Sequence, residues 1–126
     1  MAKLPEIASR AWENREGPVV LTTVDSNGSP NTIYVTCVKK ISDSKIVVAD
    51  NKMNKTRANL KAGCPVSLLY ITGEKKSFQL KGFAQYLTGG NIFDEMKTGW
   101  LDNKYAGHAA VVIDVKEVYS GADKLA

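Results

Sequence analysis

Between Val19 and Val118 the chain divides into short β-branched or alternating segments whose connections are too brief for parallel pairing. A parallel strand pair needs a crossover of roughly a dozen residues or more, whereas an antiparallel pair needs only a turn. The segment Val19–Val24 runs into Asp25, Ser26, Asn27, Gly28, Ser29 and Pro30, which carry the Asn-Gly signal of a hairpin. Residues 32–40 then alternate Ile33, Val35 and Cys37 with Tyr34, Thr36 and Val38, and Ser42, Asp43 and Ser44 return the chain into Lys45–Asp50. Residues 66–72 and Ser77–Leu87 flank a turn at Gly73, Glu74, Lys75 and Lys76, and residues 109–118 form the last strand. Six strands joined in this way predict a mainly β protein, an antiparallel barrel with short flanking helices.

Three helices complete the pattern. Leu4, Ile7, Ala8, Ala11, Trp12 and Arg15 share one helical face, which Gly17 and Pro18 bring to an end. A short helix opens near Lys55 and Thr56, with Asn54 or Thr56 as its cap, and stops at Gly63. The third covers residues 92–101, capped by Asn91, with Asp94 and Glu95 in its first turn and Phe93, Met96 and Trp100 on its buried side. A length of 126 residues suits a single domain spanning the chain. No repeat or linker divides it, and residues 121–126 are expected to be mobile.

Composition excludes several functions. The longest apolar stretches fall far short of a bilayer span, and no apolar signal core follows the early lysine, so a cytoplasmic protein without a membrane partner is expected. Cys37 and Cys64 are 27 positions apart with no CxxC spacing, which predicts buried reduced thiols and no metal site. The net charge of +4 comes from scattered lysines; the pairs Lys39-Lys40 and Lys75-Lys76 are expected at turns. A small anionic ligand accounts for that surplus without nucleic acid.

The run from Ile46 to Leu60 carries the clearest chemistry: an apolar strand passes through a polar turn into Lys55 and Thr56 at a helix start. Backbone N–H groups at such a start, a lysine ammonium and a threonine hydroxyl can together hold a phosphate. The same residues also make an ordinary capped helix, and neither P-loop glycines nor a GxGxxG fingerprint is present. Ser77–Leu87 places Phe78, Leu80, Gly82, Ala84 and Tyr86 on one face and Ser77, Gln79, Lys81, Phe83 and Gln85 on the other, which meets either solvent or a ligand groove. His108 has no partner motif and is expected to be a bystander.

Asn31-Thr32 at the second strand, Ile46 to Asp50 leading to Asn54-Lys55-Thr56, and Ala58-Asn59 just beyond together resemble the FMN-binding split-barrel family. That family includes pyridoxamine 5'-phosphate oxidases, flavin reductases and small bacterial FMN-binding proteins; the likeness spans residues 17–118 and is closest to the last group. It implies a six-stranded split barrel, a homodimer, and FMN in a groove between subunits. By this resemblance Lys55 and Thr56 bind the phosphate, and Val48, Ala49, Asp50 and Asn51 pass the flavin ring with backbone groups. Asn31 and Thr32 add polar contacts, and Ser77 or Gln79 reaches in from a neighbouring strand. Where the small FMN-binding proteins carry tryptophan, this chain has Ile33, so the ring packs on aliphatic surface, with Tyr105 or Trp100 as alternative cover. No basic C-terminal segment follows the last strand, so true pyridoxamine 5'-phosphate oxidase activity is not expected. The resemblance leaves open a redox flavoprotein with a small-molecule or protein partner, a flavin store without turnover, and a heme- or deazaflavin-binding relative. One histidine excludes bis-histidine heme ligation within a subunit.

Overall fold

The computed structural model describes residues 2–126. Helix α1 (Glu6–Glu13) precedes strands β1 (Val19–Val24), β2 (Pro30–Val35), β3 (Val38–Ser42) and β4 (Lys45–Asp50). Helix α2 (Lys55–Lys61), strands β5 (Pro65–Ile71) and β6 (Ser77–Leu87), and helix α3 (Asn91–Glu95) follow. A π-helical turn at Met96–Trp100 leads to the long strand β7 (Ala109–Ser120) and the short β8 (Asp123–Lys124). All pairings between these strands are antiparallel, in the order β2-β1-β5-β6-β7-β4-β3, with β8 on β7. The sheet curls into a split half-barrel, as the tight turns predict.

The β1–β2 hairpin forms at the Asn-Gly signal: the Asp25 carboxylate accepts the N–H groups of Asn27 and Ser29, each at 2.9 Å. The single strand expected over residues 32–40 is instead two. It breaks at Thr36 and Cys37, and its halves sit at opposite ends of the sheet, β2 beside β1 and β3 beside β4. This break opens the seam of the split barrel. Lys39 and Lys40 consequently lie within β3 rather than at a turn.

Inside the curl, Val19, Leu21, Ile46, Val48, Leu68, Leu80, Val111 and Ile113 pack into the main core. Helix α1 adds Ala8, Ala11 and Trp12 to it, while Ile7 stays exposed. Trp12 meets Tyr70 edge-on at 5.1 Å between ring centroids, Tyr70 stacks on Phe78 at 5.7 Å, and the Tyr70 hydroxyl donates to the Ala8 carbonyl at 2.8 Å. A smaller core lies on the outer face of β4 and β7, where Val47, Ala49, Ala110 and Val112 meet Met96 and Leu101. Phe93 and Trp100 are half-buried there.

The expected third helix is α-helical for only five residues before widening into the π-helical turn. Gly90, not Asn91, occupies its capping position. The terminal segment is also ordered into the sheet: Leu125 donates its N–H to the Val118 carbonyl at 2.7 Å, and Val118 donates to Ala126 at 3.0 Å. Backbone pairing, invisible in so polar a stretch, replaces the expected mobility.

Candidate functional site

The seam left by the break at Thr36 is a cleft of about 540 Å³, within the roughly 300–1,000 Å³ usual for small-molecule sites. Strand β2 forms one wall with Asn31, Ile33 and Val35, and the end of β4 with the following loop forms the other with Ala49, Asn51 and Met53. Lys55 and Thr56 close one end, and Tyr105 stands on the rim.

The polar end is built around Thr56, buried at the start of α2. Asn31 Nδ2 donates to its Oγ1 at 2.8 Å, tying β2 to α2 across the seam. Lys55 beside it is exposed, with its ammonium free of any ion pair among the described residues. Asn54 precedes the helix without a side-chain capping bond. Because α2 has only seven residues, its dipole is short, and side chains rather than the helix end supply most of the polarity here.

The loop between β4 and α2 is held from below by Asp50, whose side chain is fully buried. Arg57 grips this carboxylate at both oxygens, Nε to Oδ2 at 2.6 Å and Nη2 to Oδ1 at 3.1 Å. The Tyr86 hydroxyl donates to Oδ2, and the Met53 N–H donates to Oδ1 at 3.0 Å. Burial works to raise the Asp50 pKa, but bonding to Arg57, Tyr86 and Met53 outweighs it and holds the carboxyl below its ordinary value. Bonding to Asp50 raises the Arg57 pKa, while burial first and Asp50 second raise that of Tyr86. A paired, fully buried carboxylate of this kind is an anchor, not a ligand group.

The rim is fastened separately. Asn51 Oδ1 accepts the Gly107 N–H at 2.9 Å, the Asp50 carbonyl accepts the His108 N–H at 2.7 Å, and Lys97 Nζ donates to the Ala106 carbonyl at 2.7 Å. Gly107 has φ +55°, and a Cβ there would meet Leu101 Cδ2 at 2.6 Å, so glycine is favoured and a larger residue would have to displace Leu101. These contacts carry Tyr105 to the cleft.

Of the residues expected at the site, Asn31, Ile33, Ala49, Asn51, Lys55, Thr56 and Tyr105 line this cleft. The side chain of Val48 points into the main core and that of Asp50 lies beneath the loop, so what these two can offer the cleft is backbone, as expected of them. The Thr32 side chain faces away and bonds to Thr22, with 3.0 Å between hydroxyl oxygens. Strand β2 is an edge, however, and hydrogen-bonded pairs alternate along an antiparallel ladder. Counting from the bonded Asp25–Ser29 pair, the N–H and C=O of Thr32 and Tyr34 turn toward the seam. Ser77 and Gln79 lie outside the cleft: Gln79 Nε2 donates to Ser67 Oγ at 2.9 Å, and the Ser77 carbonyl accepts from Ser120. Trp100 packs in the outer core, and His108 is exposed away from the cleft.

Sequence reasoning missed Tyr34, Val35, Thr36, Cys37, Lys52 and Met53 as lining residues, and Arg57 and Tyr86 as supports. Arg57 had a local signal, seven residues after Asp50 across a turn into a helix; Tyr86 is 36 residues away and had none. Both cysteines are free and half-buried rather than fully buried. No cluster of three potential metal ligands occurs among the described residues, and no described helix is long and apolar enough to cross a membrane.

Known proteins resemble this chain in sequence or in fold. An uncharacterized protein of Methanocaldococcus jannaschii is 30% identical over 125 residues, covering 95% of this chain and 82% of its own. The HupZ structure of Group A Streptococcus superposes with a TM-score of 0.81 at 19% identity, covering 93% of each chain. An FMN-binding protein of Syntrophomonas wolfei gives 0.71 at 20% identity, covering 91% of this chain and 83% of its own. The sequence profile described as pyridoxamine 5'-phosphate oxidase matches residues 6–124. With nearly the whole chain matched and a split barrel folded from it, the protein belongs to the pyridoxamine 5'-phosphate oxidase-like split-barrel family.

Proposed function

We propose that the seam cleft binds FMN noncovalently and that the protein is a redox-active flavoprotein, transferring electrons or supporting oxidation or reduction of a small substrate. The observation that carries this reading is the polarity of the cleft: Lys55 and buried Thr56 at one end, and the apolar surfaces of Ile33, Val35, Ala49 and Met53 along its walls. A phosphate at one end of a flat, mostly apolar ring system matches that gradient. The bound flavin would supply the electron chemistry, while the chain supplies position and local charge. Lys55 Nζ and Thr56 Oγ1 would take the phosphate, Ile33 and Ala49 would pack on the ring, and the β2 edge would offer backbone groups. Kinship with an FMN-binding protein of the same fold supports the choice.

The assembly proposed with it is a homodimer. On the outer face of β5 and β6, Leu69 is 43% exposed and Phe83 52%, an apolar surface that pairing of two copies would cover. Ser77 and Gln79 on that side would then meet a ligand only in the partner's cleft.

The visible spectrum of the purified protein tests the cofactor directly, because oxidised flavin bands are expected and a heme band would overturn the reading. Lys55→Ala should weaken FMN by about 1.5–3 kcal/mol while scarcely affecting riboflavin, which lacks the phosphate; equal losses would remove Lys55 from the phosphate site. Steady-state NAD(P)H oxidation separates a turning-over enzyme from a flavin store.

A further inference from the structure

Shortly before Lys55 the same cleft has a second cation, Lys52, which lines it and makes no ion pair among the described residues. The two lysines have different neighbours. Lys55 adjoins Thr56, whose bond from Asn31 at 2.8 Å marks the polar end of the cleft. Lys52 stands between Asn51, whose Oδ1 accepts the Gly107 N–H at 2.9 Å, and Met53, whose N–H donates to Asp50 Oδ1 at 3.0 Å. Its backbone is thereby pinned on both sides, on the wall where Ala49 and Met53 face the apolar part of the cleft. Its charge has no local counterpart: among the described residues no aspartate or glutamate lines the cleft. Asp50, beneath the loop, is fully buried and paired with Arg57 at 2.6 Å, so it adds a neutral pair rather than a free anion.

Building on the flavin reading given above, we propose that Lys52 sets the reduction potential of the bound ring, its ammonium stabilising the negative charge that reduction leaves there. A hydride taken from a reduced nicotinamide carries two electrons and one proton. The donor is left as its oxidised cation, and the flavin ring, neutral before, is left with one negative charge. A cation beside the ring lowers the energy of that anion and leaves the neutral oxidised ring nearly unaffected. Lys55 meets the same phosphate charge in both redox states, so it adds affinity without moving the potential. Because Lys52 is exposed, water and salt weaken its field, and the expected preference for the reduced ring is about fivefold.

The experiment measures the midpoint potential of the FMN-loaded full chain by spectroelectrochemical titration with dithionite at fixed pH, beside the affinities of FMN and riboflavin by fluorescence titration. Lys52→Met should make the potential about 20 mV more negative, the two-electron equivalent of a fivefold loss. Lys52→Glu, which reverses the charge, should roughly double that shift, to about 40 mV. Lys52→Arg, which keeps the charge, should leave the potential near that of the parent. Lys55→Met should weaken FMN yet move the potential by less than about 10 mV. A potential unchanged in Lys52→Met and Lys52→Glu overturns the inference and leaves the flavin reading standing. So does a Lys52→Met that weakens FMN but not riboflavin at constant potential, which would assign Lys52 to the phosphate, or a Lys52→Arg that falls as far as Lys52→Met. Failure of FMN and riboflavin alike to bind the parent overturns the flavin reading and this inference with it.

Discussion

Strands β4 and β5 have similar lengths but opposite surroundings. Every residue of β4 from Ile46 to Asp50 is buried, whereas β5 alternates buried Val66, Leu68 and Tyr70 with exposed Leu69 and Ile71. The difference is cover: Met96 and Leu101 seal the outer face of β4 and β7, while no helix covers the outer face of β5. The doubly buried strand is the one that runs into the cleft. Its end is fixed by two cores and by the Asp50 network, while the opposite wall, β2, is an edge strand paired only with β1, tied to α2 by the Asn31–Thr56 bond and anchored in the main core through Val35. One wall of the seam is thus set by packing and the other is free to accept a ligand or a second chain.

The largest test of this contrast is a pair of truncations. Ile113 on β7, fully buried against β4, should lose about 3 kcal/mol or more as Ile113→Ala, measured by urea unfolding. Leu69→Ala on the open face of β5 should lose less than about 1 kcal/mol if the protein is monomeric under the assay conditions. A comparable loss at Leu69 would mean that a second copy covers β5, which sedimentation would then reveal.

Next in size is Asp50→Asn, which keeps the shape and removes the charge; a loss on the order of 2 kcal/mol is expected at neutral pH. The folded-state pKa of Asp50 is depressed. Its contribution is therefore fully present above the unfolded value near 3.9 and disappears as pH falls through the lower folded value. The stability gap between parent and variant should be wide at pH 7 and narrow toward pH 3. A gap independent of pH would show that packing, not the carboxylate charge, carries the effect.

The smallest structural change probes the two faces of β2. Ile33→Trp should quench or shift the spectrum of bound flavin, because residue 33 lines the cleft, while Thr32→Trp should not, because its side chain points away. Equal spectra for both would move the ring away from β2.

Much of this was legible in sequence because its signals are local. The Asn-Gly turn, the alternation of Ser77–Leu87 and the glycine after α2 each report on the chain within a few residues. Residues 32–40 misled because β-branched Val35, Thr36 and Val38 flank Cys37 without a turn residue among them; only curling of the sheet separates the halves. For Thr32, Ser77 and Gln79, periodicity told the faces apart but not which face meets the seam, since that depends on strand order. For Val48 and Asp50 the expectation concerns backbone groups, on which the alternation of side chains along a strand carries no information.

The bond from Asn31 to Thr56 has a consequence for discrimination. A hydroxyl that already accepts from an amide directs its own proton elsewhere, so a group arriving from the cleft meets Thr56 as a donor. With the Lys55 ammonium, which has only donors, this end of the seam favours an anion's oxygen lone pairs over a cation. A monoester phosphate gains its second charge near pH 6, so retention of such a ligand should weaken as the solution turns acidic.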